Sequence, residues 1–270
     1  MIRKLPTSYV PKVWGVERLP APFTHSRKEK IGEIWFEPPA ELDQLLIKYI
    51  FTSEPLSVQC HPDDAQAQRM GHGPGGKNEV WIIIDAAPDA RIAVGFREEI
   101  STGQLKSAVS DGSIMEHLAW HEVKAGDVFY IPAGTVHAIG GGVGLIEVQQ
   151  NSDVTFRLFD YGRPRELHLE KGLEVACTTP FNNEHKKHIY ASGELLLNSP
   201  SFRAKKWTAR TSSPQAPQID GPAILILYAG KCVIDGESVL PGECVLCTSI
   251  ESFSASADTV ILIAEQRPSD

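Results

Sequence analysis

The stretch Gly126-Asp127-Val128-Phe129-Tyr130-Ile131-Pro132-Ala133-Gly134-Thr135-Val136-His137-Ala138-Ile139 decides how the chain is read. A Gly-acidic pair opens an apolar run of strand length, Pro-Ala-Gly turns the chain, and a second strand-like segment carries a histidine. Similar short runs bounded by Gly, Pro and Asp recur at Leu45 to Phe51, Val80 to Ile84, Arg91 to Phe96 and Leu145 to Gln150. That rhythm predicts a mainly β fold, a sandwich or barrel rather than alternating strands and helices. One stretch breaks it. Between Glu98 and Trp120, Ile100, Leu105, Val109, Ile114 and Leu118 fall at helical spacings, with Ser101 and Ser110 as caps. One or two short helices are therefore expected as an insert over about 98–120.

With 270 residues the chain has room for one large domain or two small ones. Hydrophobic residues at 42% and charged residues at 22% are ordinary globular values. They exclude disordered, collagen-like and disulfide-stapled classes. The 34 acidic against 26 basic side chains leave a net charge of −8, which argues against nucleic acid as the partner. A small anionic ligand needs only a local basic pocket. No run approaches the roughly 18 apolar residues of a membrane span, and Met1-Ile2-Arg3-Lys4 is followed by Leu5-Pro6 rather than an apolar signal core. A soluble, cytoplasmic protein with no membrane partner is the expectation, as a monomer or weak homodimer.

A second β block runs from about Ser201, with connecting segments over Cys177 to Lys187 and Thr211 to Pro222. Its Gly242-Glu243 turn into Cys244-Val245-Leu246-Cys247 repeats the Gly126-Asp127 pattern, a sign of one internal repeat. The five cysteines are an odd number set mostly among apolar residues and read as reduced thiols. Cys244 and Cys247 have no second pair or nearby histidine and read as buried strand residues.

Several polar residues interrupt segments otherwise fit for a core. In Leu56-Ser57-Val58-Gln59-Cys60-His61-Pro62, Gln59 and His61 are two apart and share one face of a strand. Glu79 opens the run Val80-Trp81-Ile82-Ile83-Ile84, and His137 follows the Pro132-Ala133-Gly134 turn. Two imidazoles, a carboxylate and an amide brought together make a divalent-metal site. Kept apart, they are hydrogen-bonded rim residues. Glu147 and Gln149 share a face of the next strand; if His137 and Glu147 lie on the two arms of one hairpin, an acid-base carboxylate sits near the metal. Arg157 reads either as an oxyanion or phosphate clamp or as the partner of Asp153 or Asp160. The string Gly71 to Lys77 satisfies the G-x-x-x-x-G-K core of a phosphate loop, but Asn78 and the β-rich continuation lack its magnesium hydroxyl and helix. Lys77 reads instead as a cation in phase with Glu79, or as a solvated loop lysine.

The blocks Pro55 to Asp63, Lys77-Asn78-Glu79, Gly126 to Ile139 and Glu147 to Arg157, in that order, resemble type I mannose-6-phosphate isomerase in its short bacterial form, a family of the cupin superfamily. The likeness extends through Asp160-Tyr161-Gly162-Arg163 and Leu167-His168-Leu169 and covers about the first 180 residues. It implies two cupin-type (jelly-roll) β-barrels with a small helical insert: a catalytic metal-binding barrel over 1–180 and a degenerate one over 181–270. It implies one zinc ion, or another divalent metal, held by Gln59, His61, Glu79 and His137. Arg157, Lys77 and Glu147 align with active-site positions, Glu147 with a carboxylate proposed for proton transfer. The implied reaction interconverts mannose 6-phosphate and fructose 6-phosphate through an enediol, with isomerisation of a related sugar phosphate, or sugar binding without catalysis, as alternatives. Cys60 and Asn78 depart from the family's usual residues.

Overall fold

The computed structural model describes residues 1–25, 28–190, 195–209 and 215–267. The chain begins with β1 (Ile2–Lys4), β2 (Thr7–Val16), β3 (Ile31–Phe36), β4 (Leu45–Phe51) and β5 (Val58–Cys60), then helix α1 (Asp64–Arg69). Strands β6 (Glu79–Ala86) and β7 (Arg91–Phe96) precede helices α2 (Thr102–Asp111) and α3 (Ile114–His117). There follow β8 (Leu118–Glu122), β9 (Asp127–Ile131), β10 (His137–Ile139), β11 (Val143–Gln150), β12 (Phe156–Phe159) and helix α4 (Leu169–Val175). The remainder is β13 (Lys186–His188), β14 (Leu195–Asn198), β15 (Phe202–Thr208), β16 (Ala223–Ala229), β17 (Cys232–Ile234), β18 (Glu237–Val239), β19 (Cys244–Cys247), β20 (Phe253–Ala255) and β21 (Val260–Gln266). The fold is mainly β, as the short punctuated runs predict.

Among the described residues the strands form four sheets, stacked as layers by four apolar clusters. A five-stranded sheet (β12-β5-β10-β7-β8) carries the helices on its outer face, where Val58, Cys60, Phe96 and Phe156 pack on Leu105, Val109, Ile114 and Val175. Its inner face meets a seven-stranded sheet (β13-β9-β6-β11-β4-β3-β2) through Ile92, Val94 and Ile139 against Trp81, Ile83, Phe129 and Leu145. The other face of that sheet, with Ile34, Ile47, Tyr49 and Val148, packs on a six-stranded sheet (β1-β19-β16-β21-β15-β14) through Phe202, Ile224, Leu246 and Leu262. A three-stranded sheet (β18-β17-β20) covers the far side.

The seven-stranded sheet is thus buried on both faces, which explains why all seven residues of β4, LLIKYIF, are buried instead of alternating in and out. Alternate residues still part company, Ile47 and Tyr49 to one core and Ile50 to the other. Trp81 is 1% exposed, and truncating such a residue costs about 3–5 kcal/mol. The two blocks also share strands across residue 180, since β1 pairs with β19 and β13 with β9.

The helical insert is shorter than expected. Ser101 forms a capping box with Gln104 at the start of α2, but Ser110 donates to the Lys106 carbonyl inside that helix and caps nothing. Gly112, at φ 83°, ends α2 in the left-handed conformation that glycine adopts freely. From Leu118 onward the chain is strand β8, because pairing with β7 satisfies its backbone while Leu118 remains buried. Helices α1 and α4 have no counterpart in the sequence reading. Lys186 and Lys187, placed in a connecting segment, belong with His188 to an edge strand on β9; residues 211–214 of the second expected connection lie outside the described residues. Cys244 and Cys247 are both buried but belong to cores on opposite sides of β19, so they cannot hold one ion. No helix among the described residues is long and apolar enough to cross a membrane.

Candidate active site

His61 leaves the end of β5, His137 opens β10, and the two strands are antiparallel neighbours in the five-stranded sheet, with Gln59 and His137 as register partners. Glu79 opens β6 in the facing sheet. The ligand atoms of His61, Glu79 and His137 lie within 4.8 Å of one another, all buried. His61 Nε2 is 3.2 Å from Glu79 Oε1, and His137 Nε2 is 3.8 Å from Glu79 Oε2. Each ring is fixed from behind: His61 Nδ1 lies 2.7 Å from the Val154 carbonyl and His137 Nδ1 2.8 Å from the Thr135 carbonyl. A carbonyl only accepts, so both Nδ1 atoms carry the proton.

Burial, with the Lys77 charge adding to it, pushes His61 down to about 4, and burial likewise lowers His137. The rings are therefore neutral at pH 7 and aim their Nε2 lone pairs at Glu79. Burial opposes ionisation of Glu79, but the Lys77 ammonium outweighs it and holds the carboxyl well below its usual range. Lys77 Nζ sits 2.7 Å from Glu79 Oε1. Even so, His61 Nε2 and both Glu79 oxygens lack a hydrogen bond of normal geometry. Two imidazole lone pairs and a carboxylate converging without a proton between them repel one another unless a cation intervenes. The residues therefore fit a divalent metal ion with nitrogen and oxygen ligands. The Gln59 amide lies beside this cluster, with Nε2 3.4 Å from His137 Nε2 and Oε1 accepting from Ser57 Oγ at 3.1 Å. Exchanging its O and N, which have the same shape, turns an oxygen toward the cluster and lets the amide donate to Ser57.

Gln59, Lys77 and Trp81 connect the cluster to a cavity of about 360 Å³ whose wall also includes Lys48, Glu147 and Arg157. Glu147 is 3% exposed and fixed on both oxygens: Trp81 Nε1 donates to Oε1 at 3.0 Å and Lys48 Nζ lies 3.1 Å from Oε2. The Trp81 ring meets His137 edge-on at 5.2 Å between centroids, so one indole links the metal cluster to the carboxylate. All seven residues singled out in the sequence are thus brought to one place, four on the cavity wall and three just beyond it. Glu147 does not arrive by a hairpin. His137 and Glu147 lie in different sheets, and Gly140-Gly141-Gly142 carries the chain across; a Cβ on Gly140 would meet the Arg91 carbonyl oxygen at 2.4 Å. Arg157 pairs with neither Asp153 nor Asp160, but donates to the Glu166 carbonyl at 2.7 Å.

Lys48 is the residue that sequence reasoning missed. It bonds to Gln149 as well as Glu147, and its ammonium lies 4.7 Å over the Trp35 ring. Trp35 in turn donates to the buried Glu33 at 2.6 Å. A single lysine inside the apolar run Leu45 to Phe51 was the available signal.

Sequence comparison decides the relationship. Mannose-6-phosphate isomerase ManA of Bacillus subtilis (strain 168) is 37% identical over 207 residues, covering 73% of this chain and 65% of that protein. This chain is a homologue of the mannose-6-phosphate isomerases. The mannose-6-phosphate isomerase of Streptococcus mutans serotype c (strain ATCC 700610 / UA159) is 34% identical over 219 residues, 78% of this chain and 65% of that one. The matched regions span just under two thirds of these two mannose-6-phosphate isomerases. No family model matches the chain. Among solved structures, the mannose 6-phosphate isomerase from Bacillus subtilis superposes with a TM-score of 0.78 at 23% identity, over 97% of this chain and 98% of the other. A zinc-bound mannose 6-phosphate isomerase gives 0.75 at 16% identity, over 99% and 100%. The chain therefore has the mannose-6-phosphate isomerase fold along nearly its whole described length.

Proposed function

We propose that the chain is a metal-dependent aldose-ketose isomerase that interconverts mannose 6-phosphate and fructose 6-phosphate, with one zinc ion held by Gln59, His61, Glu79 and His137. One observation carries this reading: a buried His61, Glu79 and His137 cluster, in which His61 Nε2 and both Glu79 oxygens lack a hydrogen bond of normal geometry, adjoins a cavity whose wall includes the fixed Glu147 carboxylate, the Lys48 and Lys77 ammoniums and the Arg157 guanidinium. The names of the two curated relatives supply the substrate. A bound divalent ion supplies Lewis acidity toward a sugar oxygen.

The chain's own residues do the rest. Glu147, held in place by Trp81 and Lys48, removes the proton from C2 of the open-chain aldose and returns it to C1, while the O2 proton passes to O1. His61, the rival base, has Nδ1 bound to Val154 and Nε2 turned to Glu79, so it is less free to act. Lys48 and Lys77 place positive charge where oxygen becomes anionic. Arg157 adds positive potential toward the enediolate or the phosphate. Every residue in this scheme lies between 48 and 157, which supports reading 1–180 as the catalytic cupin barrel and 181–270 as a second, structural one.

The test is turnover of mannose 6-phosphate in a coupled assay, run beside other hexose 6-phosphates and pentoses. Mannose 6-phosphate is expected to be the fastest. A faster rate on another sugar phosphate would reassign the substrate, and no turnover of any sugar at full metal content would leave a binding module.

A further inference from the structure

The cavity carries a second guanidinium, Arg165, that the scheme above leaves without a task. Arg157 and Arg165 both line it, together with the hydroxyl residues Ser57 and Thr155. Their guanidiniums are close enough for Arg165 to lower the Arg157 pKa, an effect second only to burial. Two like charges brought together beside a cavity cost energy unless something anionic sits between or beside them. Within the protein that compensation is one-sided. Arg165 holds Asp160 by two parallel bonds, Nε to Oδ2 and Nη2 to Oδ1, both 2.6 Å, while Nε of Arg157 is buried with no partner.

The local backbone is built for this arrangement. Tyr161 and Gly162 both adopt left-handed conformations, at φ 55° and 77°, a turn that returns the chain so that Arg163 and Arg165 face the buried Asp160. The paired hydrogen bonds between Arg165 and Asp160 close this turn. Arg163 is committed elsewhere: it donates to the Pro55 carbonyl, lies 5.3 Å over the Tyr161 ring and reaches Asp160 only at 3.7 Å. Arg157 and Arg165, less the one buried carboxylate of Asp160, leave net positive charge at the cavity wall, the sign that favours a phosphate monoester. Asp153 and Glu166, the other nearby carboxylates, are exposed to water.

We infer that Asp160 is a positioning residue: it pins Arg165 beside Arg157, so that the two guanidiniums form the subsite for the phosphate of the sugar substrate on the wall of the cavity. This rests on the isomerase reading and deepens it. The pinned fork presents its remaining N–H edge to a phosphate without rotamer entropy left to lose, the condition under which bidentate guanidinium recognition is most selective.

The experiment compares wild type, Asp160→Asn, Arg165→Ala and Arg165→Lys as metal-loaded proteins. Two quantities are read: KM and kcat for mannose 6-phosphate, and affinity for inorganic phosphate by calorimetry. Arg165→Ala is expected to raise KM and weaken phosphate about 10- to 100-fold, the range for loss of a charge-assisted hydrogen bond, with the loss falling on KM more than on kcat. Asp160→Asn should move the same two quantities in the same direction by a smaller factor. Arg165→Lys, which keeps the charge but loses the fork, should fall between. Arg165 is a partly exposed side chain, so its variants report even if Asp160→Asn does not fold. Unchanged KM and phosphate affinity in Arg165→Ala would overturn the inference, as would a fall in kcat alone. A wild type that binds phosphate through Arg165 yet isomerises no hexose phosphate would sink the isomerase reading and keep the anion site.

Discussion

Lys48 and Glu147 are register partners on adjacent antiparallel strands, and their side chains meet at 3.1 Å in a buried cavity wall. Removing one member of such a pair leaves the other charge buried and uncompensated, at a cost of about 3–5 kcal/mol. Lys48→Ala is therefore expected to lower the unfolding free energy by that order in a denaturant titration. It should also cut kcat/KM at least 100-fold, because the carboxylate loses one of its two fixed contacts. Wild-type stability together with wild-type kinetics would detach Lys48 from the site.

Arg157→Ala is expected to abolish turnover while metal content stays at the wild-type level, since its guanidinium donates to the Glu166 carbonyl rather than to a residue of the His61, Glu79 and His137 cluster. Elemental analysis beside the rate measurement checks both halves. Full activity with intact metal would remove Arg157 from the mechanism.

Much of this site is legible in the sequence because its members come in pairs two residues apart: Gln59 with His61, Lys77 with Glu79, Glu147 with Gln149. The side-chain period of a strand puts each pair on one face, and a polar pair on a core face demands an explanation. The insert over 98–120 was legible only in part, because Leu118 fits a helical spacing as well as it fits β8. What joins the pairs was not legible. Lys48 and Gln149 lie 101 residues apart in sequence, and only strand pairing brings them together. The expected hairpin between His137 and Glu147 failed for a related reason: a glycine turn between two strands serves a crossing between sheets as well as a hairpin. Asp160 and Arg165 are close in sequence, but the left-handed turn at Tyr161 that makes them face each other leaves no signal beyond Gly162.

Acid stability should depend on Glu33. Burial pushes its pKa up, yet Lys48 and Lys12 outweigh burial and hold the folded carboxyl below its ordinary value of 4.5. A carboxyl with a folded pKa below its unfolded one contributes stability that is fully present above the unfolded value and lost as pH falls through the folded one. Glu33→Gln is thus expected to be less stable than wild type near neutral pH, with the gap closing below about pH 4.5. Thermal melts across pH 3 to 7 check this; a gap that is constant over that range contradicts it.

Thiol chemistry tests the burial pattern independently of any activity. Burial pushes the Cys60 thiol up to about 12 and Cys232 to about 11, and raises Cys244 well above the ordinary thiol value. Cys177 alone is exposed among the five. A disulfide reagent at pH 8 is expected to modify one thiol quickly in the folded protein and all five after unfolding. Two or more fast thiols in the native state would place a second cysteine at the surface.

In the proposed mechanism sugar-phosphate isomerisation depends on a divalent ion held by His61, Glu79 and His137. The most direct measurement of this dependence is a titration of zinc into chelator-treated protein, with bound metal and mannose 6-phosphate turnover recorded at each point. Turnover is predicted to start near zero, rise in proportion to occupancy and stop rising at one ion per chain, with Glu79→Gln neither binding the ion tightly nor gaining activity. Full turnover in metal-free protein, or none at one bound ion per chain, would rule out this dependence.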